Sequence, residues 1–246
     1  MIKRVRQGIK KFWATVTLVS VELLVTLIAF FGAMLVFVFL IRMVFFQNRE
    51  EFDQRAFRFM NSIVSYRSTE IMEFFSLLGT HYFLIPANLI LVFYFAFIRK
   101  HRWYSIRVPV IALSSMCMMF LLKLFFKRER PLMPLLEAAR GMSFPSGHAT
   151  MSCSFYGLLI YMIYRSETIH RTVKIISITV LSLLIVCVGA SRVYLRVHYA
   201  SDVIAGFCLG LMWLMLSIWI LKKIEVFSSR KVKVIPSAET VPTGLK

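Results

Sequence analysis

Charge is scarce in this chain. Only 17% of its 246 residues are Asp, Glu, Lys or Arg, while 59% are hydrophobic. That balance excludes an ordinary soluble domain and fits a polytopic membrane protein. Acidic residues are the scarcest charged type, 12 against 30 basic ones, for a net charge of +18. In a soluble protein such an excess points to nucleic acid. Here the basic residues fall between apolar runs, where they suit anionic headgroups and topology signals, so no nucleic-acid partner is expected. Cysteine is equally thin. Cys117, Cys153, Cys187 and Cys208 each lie inside an apolar run and none forms a CxxC pair. They read as small buried packing residues, with neither a disulfide nor a cysteine–metal site expected. No internal repeat is present, and the even spread of apolar runs argues for one domain.

What is present is a series of apolar segments. Met1–Lys11 is basic, and Leu23–Ile41 follows without a charge between Glu22 and Arg42. At about 1.5 Å per residue this run spans a bilayer. It is too long for a signal-peptide core and lacks a small-residue cleavage site, so it reads as a retained first crossing with a cytoplasmic N-terminus. Further crossings are expected at Tyr82–Ile98, Val108–Phe126, Ala149–Tyr164, Ile175–Ala190 and Val203–Leu221. The fold expected is an all-α, integral membrane bundle of six transmembrane helices, occupying residues 1–224. Between the first two crossings, Phe52, Ala56, Phe59, Met60 and Ile63 recur at helical spacing, with Asp53, Arg55 and Arg58 on the other side. Ile71, Phe74, Phe75 and Leu78 form a second stripe. Both read as amphipathic helices at the interface, serving either as a membrane-surface belt or as a lid or groove for acyl chains. Residues 225–246 are expected to form a basic, disordered cytoplasmic tail. With six crossings, the inner side collects eighteen of the thirty Lys/Arg, as the positive-inside rule requires. Trp13, Trp103 and Trp219 fall near inner boundaries.

Three stretches carry chemistry. In KLFFKRERP, Lys123 and Arg130 are seven apart, so both face one point if the helix continues to Pro131. Alone, this is equally a juxtamembrane basic cluster, since Lys127 and Arg128 sit there too. In FPSGHAT, Pro145 and Ser146 mark a helix start, with Ser146 as cap. The free N–H groups of that first turn suit an anion such as phosphate. Gly147 admits close backbone approach, and His148 at the rim is placed to give a proton to whatever the anion loses. In SRVYLRVHYASD, Arg192 offers a fork of donors for phosphate oxygens. His198 and Asp202 share a face if both are helical. The carboxylate then fixes one ring nitrogen and leaves the other free as a nucleophile. A His–Asp helix cap reads equally well from this stretch alone. Counting crossings puts all three stretches on the non-cytoplasmic side, and three coincidences on one face are less economical than one site.

K-x6-RP at Lys123–Pro131, PSGH at Pro145–His148 and SR-x5-H-x3-D at Ser191–Asp202 resemble the three-part signature of the type 2 phosphatidic acid phosphatase superfamily. Every signature position is filled. The likeness is to its bacterial membrane branch, which includes phosphatidylglycerophosphate and undecaprenyl diphosphate phosphatases. Soluble acid phosphatases and vanadium haloperoxidases share the signature but lack these apolar spans. The resemblance implies a two-step displacement on a membrane lipid phosphate or diphosphate, on the extracytoplasmic face of the cytoplasmic membrane. His198 attacks phosphorus to form a phosphohistidine, and Asp202 fixes its tautomer and supports its charge. His148 protonates the leaving oxygen and then activates water. Lys123, Arg130, Arg192, Ser146 and the Gly147 N–H hold the phosphoryl oxygens. No cofactor is implied. The motif region holds only Glu129, Glu137 and Asp202 as carboxylates, too few for a two-metal cage. Because His198 must be neutral while His148 is protonated, turnover is expected to be bell-shaped in pH. A lipid transporter or scaffold retaining the fold is the competing reading, although binding alone needs only the cations. His81 is a candidate to line the site, while His101 and His170 are expected to be remote from it. The substrate lipid and the oligomeric state are left open.

Overall fold

The computed structural model describes residues 2–47, 49–135 and 141–234, with side chains between 21 and 229. The Trp13 side chain, Glu137 and the tail beyond Val234 lie outside the described residues. The chain is all-α. Helix α1 (Ile2–Ile41) ends in a π-helical turn over Arg42–Phe46, and α2 (Glu51–Ser62) and α3 (Tyr66–Leu77) follow. Helix α4 (His81–Phe93) ends in a second π turn, Tyr94–Ile98. Then come α5 (Arg102–Phe126), α6 (Gly147–Arg165), α7 (Arg171–Tyr194) and α8 (Ala200–Val234). Helix α8 thus runs past Leu221, through the first part of the expected tail.

Among the described residues, five helices are long and apolar enough to cross a membrane: Val21–Phe46, His81–Ile98, Arg102–Phe126, Arg171–Tyr194 and Ala200–Ser229. Their outward faces are large and apolar. On α1 alone, Leu24, Ile28, Leu35 and Phe39 are all exposed, a surface stable only against hydrocarbon. The expected fourth crossing, α6, is not among the five, and its position explains why. It packs against α4, α5, α7 and α8, so it presents protein with the faces its neighbours present to lipid. That frees it to carry Thr150, Ser152 and Ser154, all buried. Thr150 Oγ1 returns its proton to Ser146 O at 2.9 Å, and Ser152 Oγ to His148 O. Of the cysteines, only Cys153 on α6 is buried. Cys117 is exposed on α5, and the other two are half-buried, which corrects the expectation that all four are core residues.

Helices α6 and α8 cross at a glycine. A Cβ on Gly206 would lie 2.7 Å from the Ser146 backbone oxygen and 2.9 Å from the Ala149 Cβ. No side chain can move aside to relieve the first contact. Gly206→Val should therefore lower the detergent-solubilised melting temperature by more than about 5 °C, as overpacking of a filled core does. Gly32→Ala, where a Cβ meets nothing within 4 Å, should leave it unchanged.

Helices α2 and α3 lie across the end of the bundle where α7 turns into α8. A capping box at Ser65 starts α3. The Tyr194 hydroxyl then ties α3 to α7, with Ser68 Oγ at 2.8 Å, Thr69 Oγ1 at 3.0 Å and the Ser65 N–H at 3.4 Å. On α2, Phe52 and Phe59 are exposed, as an interfacial stripe requires, but Asp53 is buried. Asp53 lies on the polar face of α2 as the spacing indicates, but that part of the face meets protein, whereas Arg55 and Arg58 are exposed. A second correction concerns α5. It stops at Phe126, and Lys127 takes a left-handed conformation (φ 47°) that closes the helix through its N–H to Lys123 O. Arg130 therefore reaches inward from a loop and not from the seventh position of a continuing helix.

Candidate active site

His198 occupies the turn between α7 and α8 and is 2% exposed. Arg192 O receives both the Val197 and His198 N–H groups, at 3.1 and 3.2 Å, which closes the turn. Asp202 lies in the first turn of α8, and its Oδ2 accepts the Tyr199 N–H at 3.1 Å. The two residues do not share a helix face, as the spacing suggests, because His198 precedes the helix. They meet because the turn folds back over the helix start, with His198 Nδ1 at 3.5 Å from Asp202 Oδ2. The helix-cap and His–Asp readings of this stretch both describe the same carboxylate.

Ser143, which carries no sequence signal beyond being small and polar beside an apolar run, settles the tautomer. Its hydroxyl donates to Asp202 Oδ2 and sits 3.2 Å from His198 Nδ1. A hydroxyl has one proton. With that proton on Asp202, Ser143 Oγ accepts from His198, so Nδ1 carries the ring hydrogen. On the far side, Arg130 Nη1 lies 3.3 Å from Nε2. Arginine only donates, so Nε2 presents a lone pair. Both contacts assign the same tautomer, with the unprotonated nitrogen facing a cation. Ser143→Ala leaves Asp202 Oδ2 and His198 Nδ1 each with one partner fewer. Turnover should fall roughly 10- to 100-fold with little change in KM, as losses around an oriented imidazole do. Steady-state kinetics in mixed micelles read this directly.

The carboxylate is held from behind. Arg128 Nη1 donates to Asp202 Oδ1 at 2.5 Å and to Ser201 Oγ at 2.8 Å, and Nη2 donates to Asp53 Oδ2 at 2.9 Å. Its guanidinium lies 4.0 Å from the centre of the Tyr199 ring. Burial opposes its charge, but Asp202 and Asp53 outweigh that and hold it above the ordinary arginine range. Sequence reading treated Arg128 as part of a basic cluster. The geometry instead separates Arg128, committed to carboxylates, from Arg130, which faces His198.

The remaining signature residues close around the same end of the bundle. Lys123 Nζ donates to Met142 O at 2.5 Å and to Ser143 O at 3.3 Å. Arg130 is braced by Gly141 O at 2.9 Å and Val197 O at 2.8 Å. Ser146 caps α6, accepting the Ala149 N–H at 3.5 Å and donating its own N–H to Asp202 O at 3.0 Å. Gly147 and His148 are the first two residues of the helix, so their N–H groups have no partner within it. The His148 ring passes under Gly79, where an added Cβ would stand 3.1 Å from its Cδ2. His148 Nε2 is buried and has no partner among the described residues, and the same holds for Arg192 Nε. Arg192 Nη1 donates to Ser76 Oγ on α3. His148 lies within electrostatic reach of Arg192, His198, Arg130 and His81. His101 and His170 cap α5 and α7, remote from the site as expected. Burial, with Arg130 and Lys123 adding to it and Asp202 opposing, pushes His198 down to about 4. Burial also lowers Arg130, against the pull of Asp202. The arrangement pairs a neutral imidazole with several cations, as a nucleophile beside an anionic group requires. Among the described residues, no group of three His, Cys, Asp or Glu side chains is placed to hold a metal ion.

Comparison with known proteins agrees with this chemistry. Residues 103–225 match the PAP2 superfamily. The chain is 31% identical over 143 residues to phosphatidylglycerophosphatase B of Bacillus subtilis (strain 168), covering 58% of this chain and 70% of that protein. It is 34% identical over 110 residues to dolichyldiphosphatase 1 of Dictyostelium discoideum, covering 41% of this chain and 47% of that one. The fold matches the crystal structure of a transmembrane PAP2-type phosphatidylglycerolphosphate phosphatase from Bacillus subtilis. The TM-score is 0.71 and the identity 26%, over 80% of this chain and 98% of that one. It also matches Aquifex aeolicus LpxE in fold, with a TM-score of 0.54 and 24% identity over 68% and 94% of the two chains. With the matched region running from the start of α5 into α8, and so containing Lys123, Arg130, His148, Arg192, His198 and Asp202, the chain belongs to the PAP2 superfamily and is an enzyme of its membrane lipid phosphatase class.

Proposed function

We propose that the protein dephosphorylates a membrane lipid phosphate or diphosphate of the phosphatidylglycerophosphate, phosphatidic acid or undecaprenyl diphosphate class. The reaction passes through a phosphohistidine and uses no metal. The observation that carries this reading is the setting of the His198 ring: Nδ1 lies 3.2 Å from Ser143 Oγ and 3.5 Å from Asp202 Oδ2, and Nε2 lies 3.3 Å from Arg130 Nη1. A protein that only binds lipid phosphate has no use for an oriented, neutral imidazole in a cluster of cations.

The steps balance as follows. The Nε2 lone pair forms a bond to phosphorus as the P–O bond to the lipid breaks. His148, whose Nε2 is the unpartnered buried nitrogen, gives its proton to the departing oxygen. A water then loses a proton to His148 and attacks phosphorus, and the N–P bond breaks to release phosphate. Asp202 stabilises the imidazolium-like charge of the intermediate. Lys123, Arg130, Arg192, Ser146 and the Gly147 N–H receive the phosphoryl oxygens. In our reading α6 is a sixth crossing shielded by its neighbours. Six crossings put the motifs on the extracytoplasmic face and both termini in the cytoplasm of an inner-membrane protein. The first-named bacterial relatives act at phosphatidylglycerophosphate, which favours that lipid among the three.

The test is a kinetic panel of the three lipid classes in mixed micelles, with kcat/KM for each and chelator present throughout. A preference of tenfold or more for one class identifies the substrate. Absence of phosphate release from all three, by protein that remains monodisperse, would overturn the reading.

A further inference from the structure

Asp53 has no place in the three-part signature, yet it is among the most completely buried charged groups, 1% exposed. It comes from α2, an amphipathic helix whose other side presents Phe52 and Phe59 outward. Its Oδ1 accepts the Ser201 N–H at 2.8 Å, and its Oδ2 accepts Ser201 Oγ at 2.7 Å and Arg128 Nη2 at 2.9 Å. Through one guanidinium it is linked to Asp202 Oδ1, and Asp202 Oδ2 faces His198. A carboxylate pair sharing one arginine divides that cation's charge. With Asp53 present, Arg128 is anchored at one end and neutralises Asp202 only in part. The rest of the Asp202 charge is left for His198.

We propose that Asp53 is a positioning residue for the phosphatase reaction, acting through Arg128 to set both the place and the effective charge of Asp202, so that docking of the interfacial helix α2 completes the His198 site. The inference rests on the phosphatase reading above. It also assigns the region between the first two crossings a part in chemistry, beyond a belt or an acyl groove.

A purely architectural role for Asp53 and this relay differ in additivity. The relay makes the effect of Asp53→Asn depend on Arg128. Asp53→Asn alone should lower kcat roughly tenfold with KM within about twofold, and Arg128→Gln alone roughly 100-fold. The double variant should fall no further than Arg128→Gln alone, where independent effects would give about 1,000-fold. Asp53→Glu, which keeps the charge, should recover most of the loss. Full additivity, or an unchanged kcat in Asp53→Asn, overturns the proposal. If Asp53→Asn is not monodisperse, Arg128→Lys carries the test. It keeps the charge but cannot bridge two carboxylates, so parental kcat in that variant overturns the relay. The relay is also read without turnover by 15N NMR of histidine-labelled protein. Wild type should show one Nδ1–H tautomer for His198, and Arg128→Lys a mixture; a pure tautomer in both counts against the relay even if no lipid is hydrolysed. Inactive wild type with these tautomers would instead count against the phosphatase reading.

Discussion

His198→Ala should release phosphate at least about 10⁴-fold more slowly than the parent on its best lipid, with KM little changed. Lys123, Arg130 and Arg192 are donors, and Asp202 is occupied by Arg128, Ser143 and the Tyr199 N–H, which leaves the His198 Nε2 lone pair as the nucleophile of the proposed reaction. Wild type incubated with 32P-labelled lipid and quenched in alkaline detergent should carry base-stable, acid-labile label, and His198→Ala should carry none. Equal label or equal phosphate release from the two proteins would remove His198 from the mechanism. The pH profile adds an independent check. Attack needs the neutral ring, and the folded protein holds His198 down to about 4 against the ordinary value near 6.5. The neutral form therefore persists to lower pH than in a free histidine. The acid limb of kcat/KM, a property of the free enzyme, should fall near pH 4 to 5. A limb at pH 6 or above would show that another group, or an unperturbed His198, controls attack.

His148→Asn should have the second-largest effect, and one that depends on the leaving group. A lipid alkoxide is a poor leaving group and needs a proton as the P–O bond breaks. General-acid catalysis of that kind is worth about 10²- to 10⁴-fold. A nitrophenyl phosphate leaves without help. The variant should therefore lose roughly 10³-fold in kcat on the lipid, yet form the phosphohistidine from the aryl ester at close to the parental rate. The burst of nitrophenolate, measured by stopped flow, separates the two steps. Breakdown of the intermediate should remain slow, because the same ring activates the water. Equal losses on both substrates would mean that His148 binds phosphate and does not move a proton.

Much of this site was legible because its chemistry needs particular residue types at short spacings. Lys123, Arg130, Ser146, His148, Arg192, His198 and Asp202 all converge on one end of the bundle. The elements that bring them there were harder to read. The apolar period on α2 assigned Asp53 to the polar side, correctly, but periodicity reports polarity and not what lies opposite. The opposite surface is Arg128 and Ser201, not water. Helix α5 was expected to carry Arg130 onward, and the left-handed Lys127 that ends it is not a residue type that announces such a conformation. Ser143 is one serine of many. Its place comes from donating its one proton to Asp202 while standing beside His198 Nδ1, which depends on the folded arrangement. Helix α6 was placed correctly in sequence, but its hydroxyl-rich character follows from having protein on all sides.

That last property reaches back into biosynthesis. A segment as polar as α6 gains little by partitioning into lipid alone, because each hydroxyl it brings must already be satisfied within the helix. In the proposed six-crossing arrangement, its place then depends on partners on both sides in the chain, α5 before it and α7–α8 after it. In a nascent chain halted just after Arg165, a cysteine placed in this segment should react with a membrane-impermeant maleimide, while in one continued through α8 it should be protected. Assembly of the catalytic end is on this account a late event. His148, at the head of α6, becomes fixed only once the helix bearing Asp202 has arrived beside it.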